Sequence, residues 1–150
     1  MTSLLPLAFA AIALSAAPAL AQSANDDRLR KGDAVIRSLN KGQPQPALEA
    51  MRRDFPFLAE ATEGYALGEV WSRSQLDPKT RQMAAVAAFA ALGNTAFMKI
   101  HAGYALNLGV TEDELKEIVY LTTVHAGFPR AIDAARTLSE LFAERKAKPQ

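Results

Sequence analysis

The sequence predicts an all-α protein, a compact domain of about six helices, and three observations carry that prediction. No segment alternates apolar and polar residues for long enough to make a strand. Helix starts and stops recur along the chain, with Asp77-Pro78 and Thr111 as starts and Gly93, Gly109 and Gly127 as stops. Between these signals apolar residues return every three or four positions, as in Phe97, Ile100, Tyr104 and Leu108.

Residues 1–21 carry no charged side chain, and an apolar run extends from Leu4 to Leu20. The run ends in Ala19-Leu20-Ala21, a small-x-small pattern, so the sequence predicts a secretory signal peptide cleaved after Ala21 and a periplasmic mature protein. Pro6 and Pro18 interrupt the run, and its length is near the lower limit for spanning a bilayer. Residues 22–46 form a polar extension with a weak helical pattern (Leu29, Val35, Ile36, Leu39), closed by the turn-forming stretch from Lys41 to Pro46.

A helix is predicted from about Pro46 to Arg53. Asp54 is expected to cap the next, with Pro56 in its first turn and Phe57, Leu58, Ala61, Tyr65 and Leu67 leading toward Val70 and Trp71. The string from Ser72 to Arg81 breaks the pattern. Asp77 then caps an Ala-rich helix that begins at Pro78 and ends at Gly93. Another helix is predicted from about Asn94 to Asn107. Thr111 and Glu114 form a capping box for the helix running to about His125. Gly127 and Pro129 separate it from an amphipathic helix of about Arg130 to Arg145, and residues 146–150 make a tail.

The segment after the leader holds all 17 basic and all 16 acidic residues, a net charge of +1, which points to neither nucleic acid nor an anionic membrane as partner. The chain contains no cysteine, so packing and subunit contacts must supply its stability, and thiol chemistry is excluded.

The sequence has two histidines, and both fall beside apolar helix faces that would point into the helical core or an interface. His101 flanks the stripe of Phe97, Ile100, Tyr104 and Leu108. His125 shares a predicted face with Ile118, Leu121 and Thr122, and Glu117 lies at its edge. Each histidine reads either as a hydrogen-bonded core residue or, with Glu117, as part of an acid–base site, since imidazole moves protons near neutral pH. The two lack the i,i+4 spacing of a helical zinc pair, so no metal is expected. Arg81 in a helix first turn opposes the helix dipole, which implies a carboxylate partner, structural or substrate. Arg73 and Trp71 precede that helix.

Three stretches together resemble the carboxymuconolactone decarboxylase family, within the wider group that includes the alkyl hydroperoxidase D proteins. They are EGYALGEVWSRSQLDPKTR (63–81), AALGNTAFMKIHAGYALNLGVTEDELKEIV (90–119) and HAGFPRAIDA (125–134). The resemblance implies that residues 47–145 form an all-helical domain of that fold, which assembles as a homo-oligomeric ring, a trimer or hexamer. The peroxidase-like branch uses a Cys-x-x-Cys pair that this chain lacks. The decarboxylase branch uses no thiol and no cofactor.

The resemblance therefore implies cofactor-independent decarboxylation of a small carboxylated unsaturated lactone. His101, Glu117 and His125 are the candidate acid–base residues. Arg81 and Arg73 are candidates for binding the substrate carboxylate. Trp71, Tyr104 and Phe97 would supply apolar walls that favour loss of carbon dioxide. The alternative is a noncatalytic periplasmic protein that binds a small acid or serves as an oligomeric partner.

Overall fold

A computed structural model describes residues 13–147, with side chains from residue 21 onward. The first part of the apolar leader and the last three tail residues lie outside the described residues. The elements are α1 (Ala13–Leu39), α2 (Pro46–Asp54), α3 (Pro56–Ala61), a π-helix (Thr62–Trp71), α4 (Pro78–Leu92), α5 (Thr95–Asn107), α6 (Glu112–Ala126) and α7 (Phe128–Ala147). The fold is all-α. The expected cleavage position after Ala21 falls inside α1. Among the described residues, no helix is long and apolar enough to cross a membrane.

The described chain falls into two compact units. The first comprises residues 13–38 and 43–73, and the second residues 39–42 and 74–147. In the first unit, α1 and the π-helix approach so closely that glycines are required at the contact. A Cβ built on Gly68 would sit 2.1 Å from the Arg28 carbonyl oxygen, and one on Gly32 would sit 2.2 Å from that of Glu63. Glu63 is buried beside this crossing, and its carboxylate accepts from Arg52 Nη2 at 2.6 Å. Burial pushes the Glu63 carboxyl above the usual carboxylate range, although Arg52 pulls it the other way.

Two expectations fail in this unit. Asp54 caps nothing: the Phe55 amide still donates to Met51 O at 2.7 Å, so the helical turn runs through Asp54 and leaves Phe55 at the N-cap of α3, without a side-chain acceptor. The single helix expected to lead into Trp71 is instead a short α-helix followed by π-helix. The Ser72 amide donates to Leu67 O, five residues back, at 3.0 Å. Two glycines in this segment, Gly64 and Gly68, leave the backbone uncovered where α1 crosses it.

In the second unit the local signals act as the sequence implies. Asp77 accepts from the Thr80 amide at 3.1 Å, with Pro78 in the first turn of α4. Gly93 closes α4 in the left-handed region at φ 72°. Asn94 caps α5 through Phe97 N, and Thr111 and Glu114 make the reciprocal capping box of α6. The last helix begins at Phe128 rather than Arg130, because a proline at Pro129 is tolerated in a first turn, where its missing N–H has no helical partner.

The core of this unit is small and aliphatic. Val86 and Ala90 of α4, Met98, Ala102 and Ala105 of α5, Leu115 and Val119 of α6, and Ala134 and Leu138 of α7 are almost wholly excluded from solvent. The many alanines let the helices approach closely, and Met98 and Leu115 fill the space between them.

Candidate active site

Helices α4 and α5 meet through a polar contact between Gln82 and His101. Gln82, Val86 and Ala90 recur at four-residue spacing on the buried face of α4, and Gln82 is the polar member of that stripe. Across from it, α5 buries Met98, Ala102 and Ala105 and carries His101 at the margin of the same face, half-buried. His101 Nδ1 lies 2.8 Å from Gln82 Oε1. Gln82 is 0 % exposed, and its Nε2 has no hydrogen-bond partner.

Aromatic rings clamp the imidazole. Phe89 of α4 stacks on His101 with ring centroids 5.2 Å apart and planes inclined by 25°. Tyr104 meets the ring edge-on at 5.9 Å and 89°. Phe97 stacks on the other end of the row, 5.5 Å from Phe89. Tyr104 is buried while Phe97 is exposed, so the row leads from the surface of the unit inward to His101. Burial pushes the His101 imidazole down to about 4, because an apolar surround penalises the charged ring. At neutral pH the ring is therefore uncharged, and it acts by hydrogen bonding rather than by ion pairing.

The sequence-derived candidates fall in both units. His101 and Tyr104 are in direct ring contact. Arg81, in the first turn of α4, is half-buried and donates through Nη2 to Leu76 O at 3.4 Å. Trp71 and Arg73 belong to the first unit, where Trp71 is half-buried and Arg73 exposed.

Of the two placements expected for His125, the helical core or an interface, the core is not observed, and Glu117 does not face it either. The inner face of α6 is formed by Leu115, Val119 and Thr122, while Glu117, Leu121 and His125 are exposed. His125 Nδ1–H donates to Leu121 O in its own helix at 3.0 Å. The stripe Leu115, Val119, Thr122, spaced by four and then three residues, turns the face by part of a helical turn from the one inferred around Leu121. The residue in hydrogen-bond contact with His101 Nδ1 is thus Gln82, not Glu117. Among the described residues, no group of three His, Asp or Glu is placed to hold a metal ion.

Gln82 was not a candidate in the sequence. A signal was present: it is the polar residue in an otherwise apolar four-residue stripe, one position after Arg81. A lone glutamine in an Ala-rich helix reads first as a solvated residue, and only its total burial against His101 distinguishes it.

Comparison with known proteins agrees with this architecture. The chain is 36% identical over 86 residues to the 4-carboxymuconolactone decarboxylase of Acinetobacter baylyi, covering 57% of this chain and 64% of that protein. It is 34% identical over 90 residues to a nitrosuccinic acid decarboxylase of Metarhizium robertsii, covering 57% and 62%. An uncharacterized protein of Methanocaldococcus jannaschii is 26% identical over 98 residues, covering 65% and 91%. The chain thus spans less than two thirds of the length of the two decarboxylases. The model of the carboxymuconolactone decarboxylase family matches residues 56–140, which include Gln82, Phe89, His101 and Tyr104. With more than half of its length matched by that model, the chain belongs to the carboxymuconolactone decarboxylase family.

Proposed function

We propose that the protein is an exported, cofactor-independent decarboxylase of a small carboxylic acid that carries its own electron sink, with a carboxylated unsaturated lactone as the leading substrate class. The observation that carries this reading is the neutral His101, clamped between Phe89 and Tyr104 and hydrogen-bonded to a buried amide. The names of the two decarboxylases support the substrate class. One describes a lactone and the other a nitro acid, and each pairs a carboxyl group with an electron-withdrawing group.

In this reaction the carbon–carbon bond to the carboxylate breaks and carbon dioxide leaves. The electron pair passes into the conjugated carbonyl, and a proton from water completes the product at carbon, leaving hydroxide that combines with the released carbon dioxide as bicarbonate. An imidazole that titrates at about 4 holds no extra proton at pH 7, so water is the proton source and His101 orients it by a hydrogen bond. Apolar rings beside the leaving carboxylate favour its conversion to neutral carbon dioxide. Arg81, on the turn that also carries Gln82, is the residue assigned to hold a substrate carboxylate.

The reading includes a homo-oligomer, a trimer or hexamer. Tyr120, Leu121, Val124 and Phe128 are exposed apolar residues around His125, a face suited to burial against another copy. His125 and Glu117 join the chemistry only through such a contact. The charge-free leader supports export.

The test is release of carbon dioxide by the purified mature protein from 4-carboxymuconolactone and from nitrosuccinate. At least one acid is expected to turn over, and His101→Ala is expected to lower the rate by about 100-fold or more, with the helical CD spectrum and oligomer size unchanged. Turnover of neither acid, with saturable binding of one of them, overturns the enzyme reading in favour of a small-acid binding protein.

A further inference from the structure

We propose that Gln82 is a positioning residue: its side-chain amide fixes His101 in the Nδ1–H form. This rests on the reading of His101 given above and adds the residue that sets its proton arrangement.

Several observations lead there. Gln82 is wholly excluded from solvent, and its Oε1 lies 2.8 Å from His101 Nδ1, a position where an amide oxygen can only accept. Its other half, Nε2, has no partner. A glutamine can make four hydrogen bonds, and a buried one that leaves its amide donors unbonded is costly. Packing does not explain that choice, because methionine has nearly the same length and no polar atoms to desolvate. The interaction gained in return is the one with His101. In water a neutral imidazole favours the opposite form, with the proton on Nε2, so the Nδ1–H form needs a fixed acceptor. Phe89 and Tyr104 hold the ring plane, and Gln82 places an acceptor at Nδ1.

The experiment is long-range nitrogen–proton NMR of the full mature chain labelled at histidine, with His101→Phe used to separate the signals of the two histidines. The wild-type protein at pH 7 is expected to show a pyrrole-like Nδ1 and a pyridine-like Nε2 at His101. Gln82→Met is expected to lose that pattern in favour of the Nε2–H form, while its urea midpoint stays at or above that of wild type. Gln82→Glu, which keeps an acceptor oxygen, is expected to retain the Nδ1–H form.

A wild-type His101 protonated on Nε2 overturns the proposal, as does a folded Gln82→Met that keeps the Nδ1–H pattern unchanged. If Gln82→Met does not fold, the assumption that the residue is dispensable for stability is wrong and a structural role replaces the positioning one. None of these readouts requires turnover, so a failure of the decarboxylase reading is recognised separately.

Discussion

Acidification from pH 7 to pH 4 is expected to cost the protein about 3 kcal/mol through His101 alone. Burial holds this imidazole at about 4, against 6.5 for an unhindered ring. The unfolded chain therefore takes up a proton at His101 between those two values while the folded chain does not. Because the folded-state value is the depressed one, the stabilising contribution is complete above pH 6.5 and is lost as the pH falls through 4. The gap is about 2.5 pH units, and each is worth ~1.36 kcal/mol. Roughly half of the loss falls by about pH 5.3, before most carboxylates titrate.

The assay is urea denaturation of wild type and His101→Phe at intervals from pH 7 to pH 4.5. Phenylalanine keeps a ring against Phe89 and removes the titrating nitrogen. The variant starts from a lower stability, since Gln82 loses its bond, but its pH dependence is expected to be flatter by about 2 kcal/mol over that range. Equal pH dependence in the two proteins refutes the reasoning, because it shows that His101 is not desolvated in the folded state.

Three further perturbations address the scaffold. Gly68→Ala places a Cβ 2.1 Å from the Arg28 carbonyl oxygen, so the α1 crossing must open, with a loss of about 1–3 kcal/mol in urea unfolding; an unchanged midpoint contradicts the close approach. Thr111→Ala removes the Thr111 half of the capping box and is expected to cost about 1 kcal/mol, read from the same melts. Glu63 is raised by burial, so its protonated form is favoured by folding, and the stability it contributes is lost as the pH rises through its folded-state value. Glu63→Gln is therefore expected to flatten the decline of stability on the neutral side of the weakly acidic range, and a steeper decline rules out burial as the dominant influence.

The fold was largely legible because its punctuation is local. Asp77, Asn94, Thr111 with Glu114, and Gly93 each act on their own helix end, through bonds spanning a few residues, and each does what its sequence position implies. The first unit was less legible because its shape depends on partners far away in the chain. Gly68 is explained by Arg28, forty residues earlier, and the π-helix that carries it has no composition signal of its own.

The same division holds at the site. His101 was visible because an imidazole beside an apolar stripe is conspicuous. Gln82 was not, since its meaning lies in a contact between two helices. His125 looked equivalent to His101 on a helical wheel. Periodicity reports which residues share a face, but not which of two adjacent faces turns inward, and on α6 the inward one is that of Leu115, Val119 and Thr122.

The central claim is that a neutral His101 governs the chemistry of this chain, and the most direct measurement is the rate of carbon dioxide release from 4-carboxymuconolactone at pH 7 by wild type and by His101→Asn of equal oligomer size. Wild type is expected to turn over, and the variant to lose about 100-fold or more of the rate. A folded His101→Asn that releases carbon dioxide at the wild-type rate contradicts it.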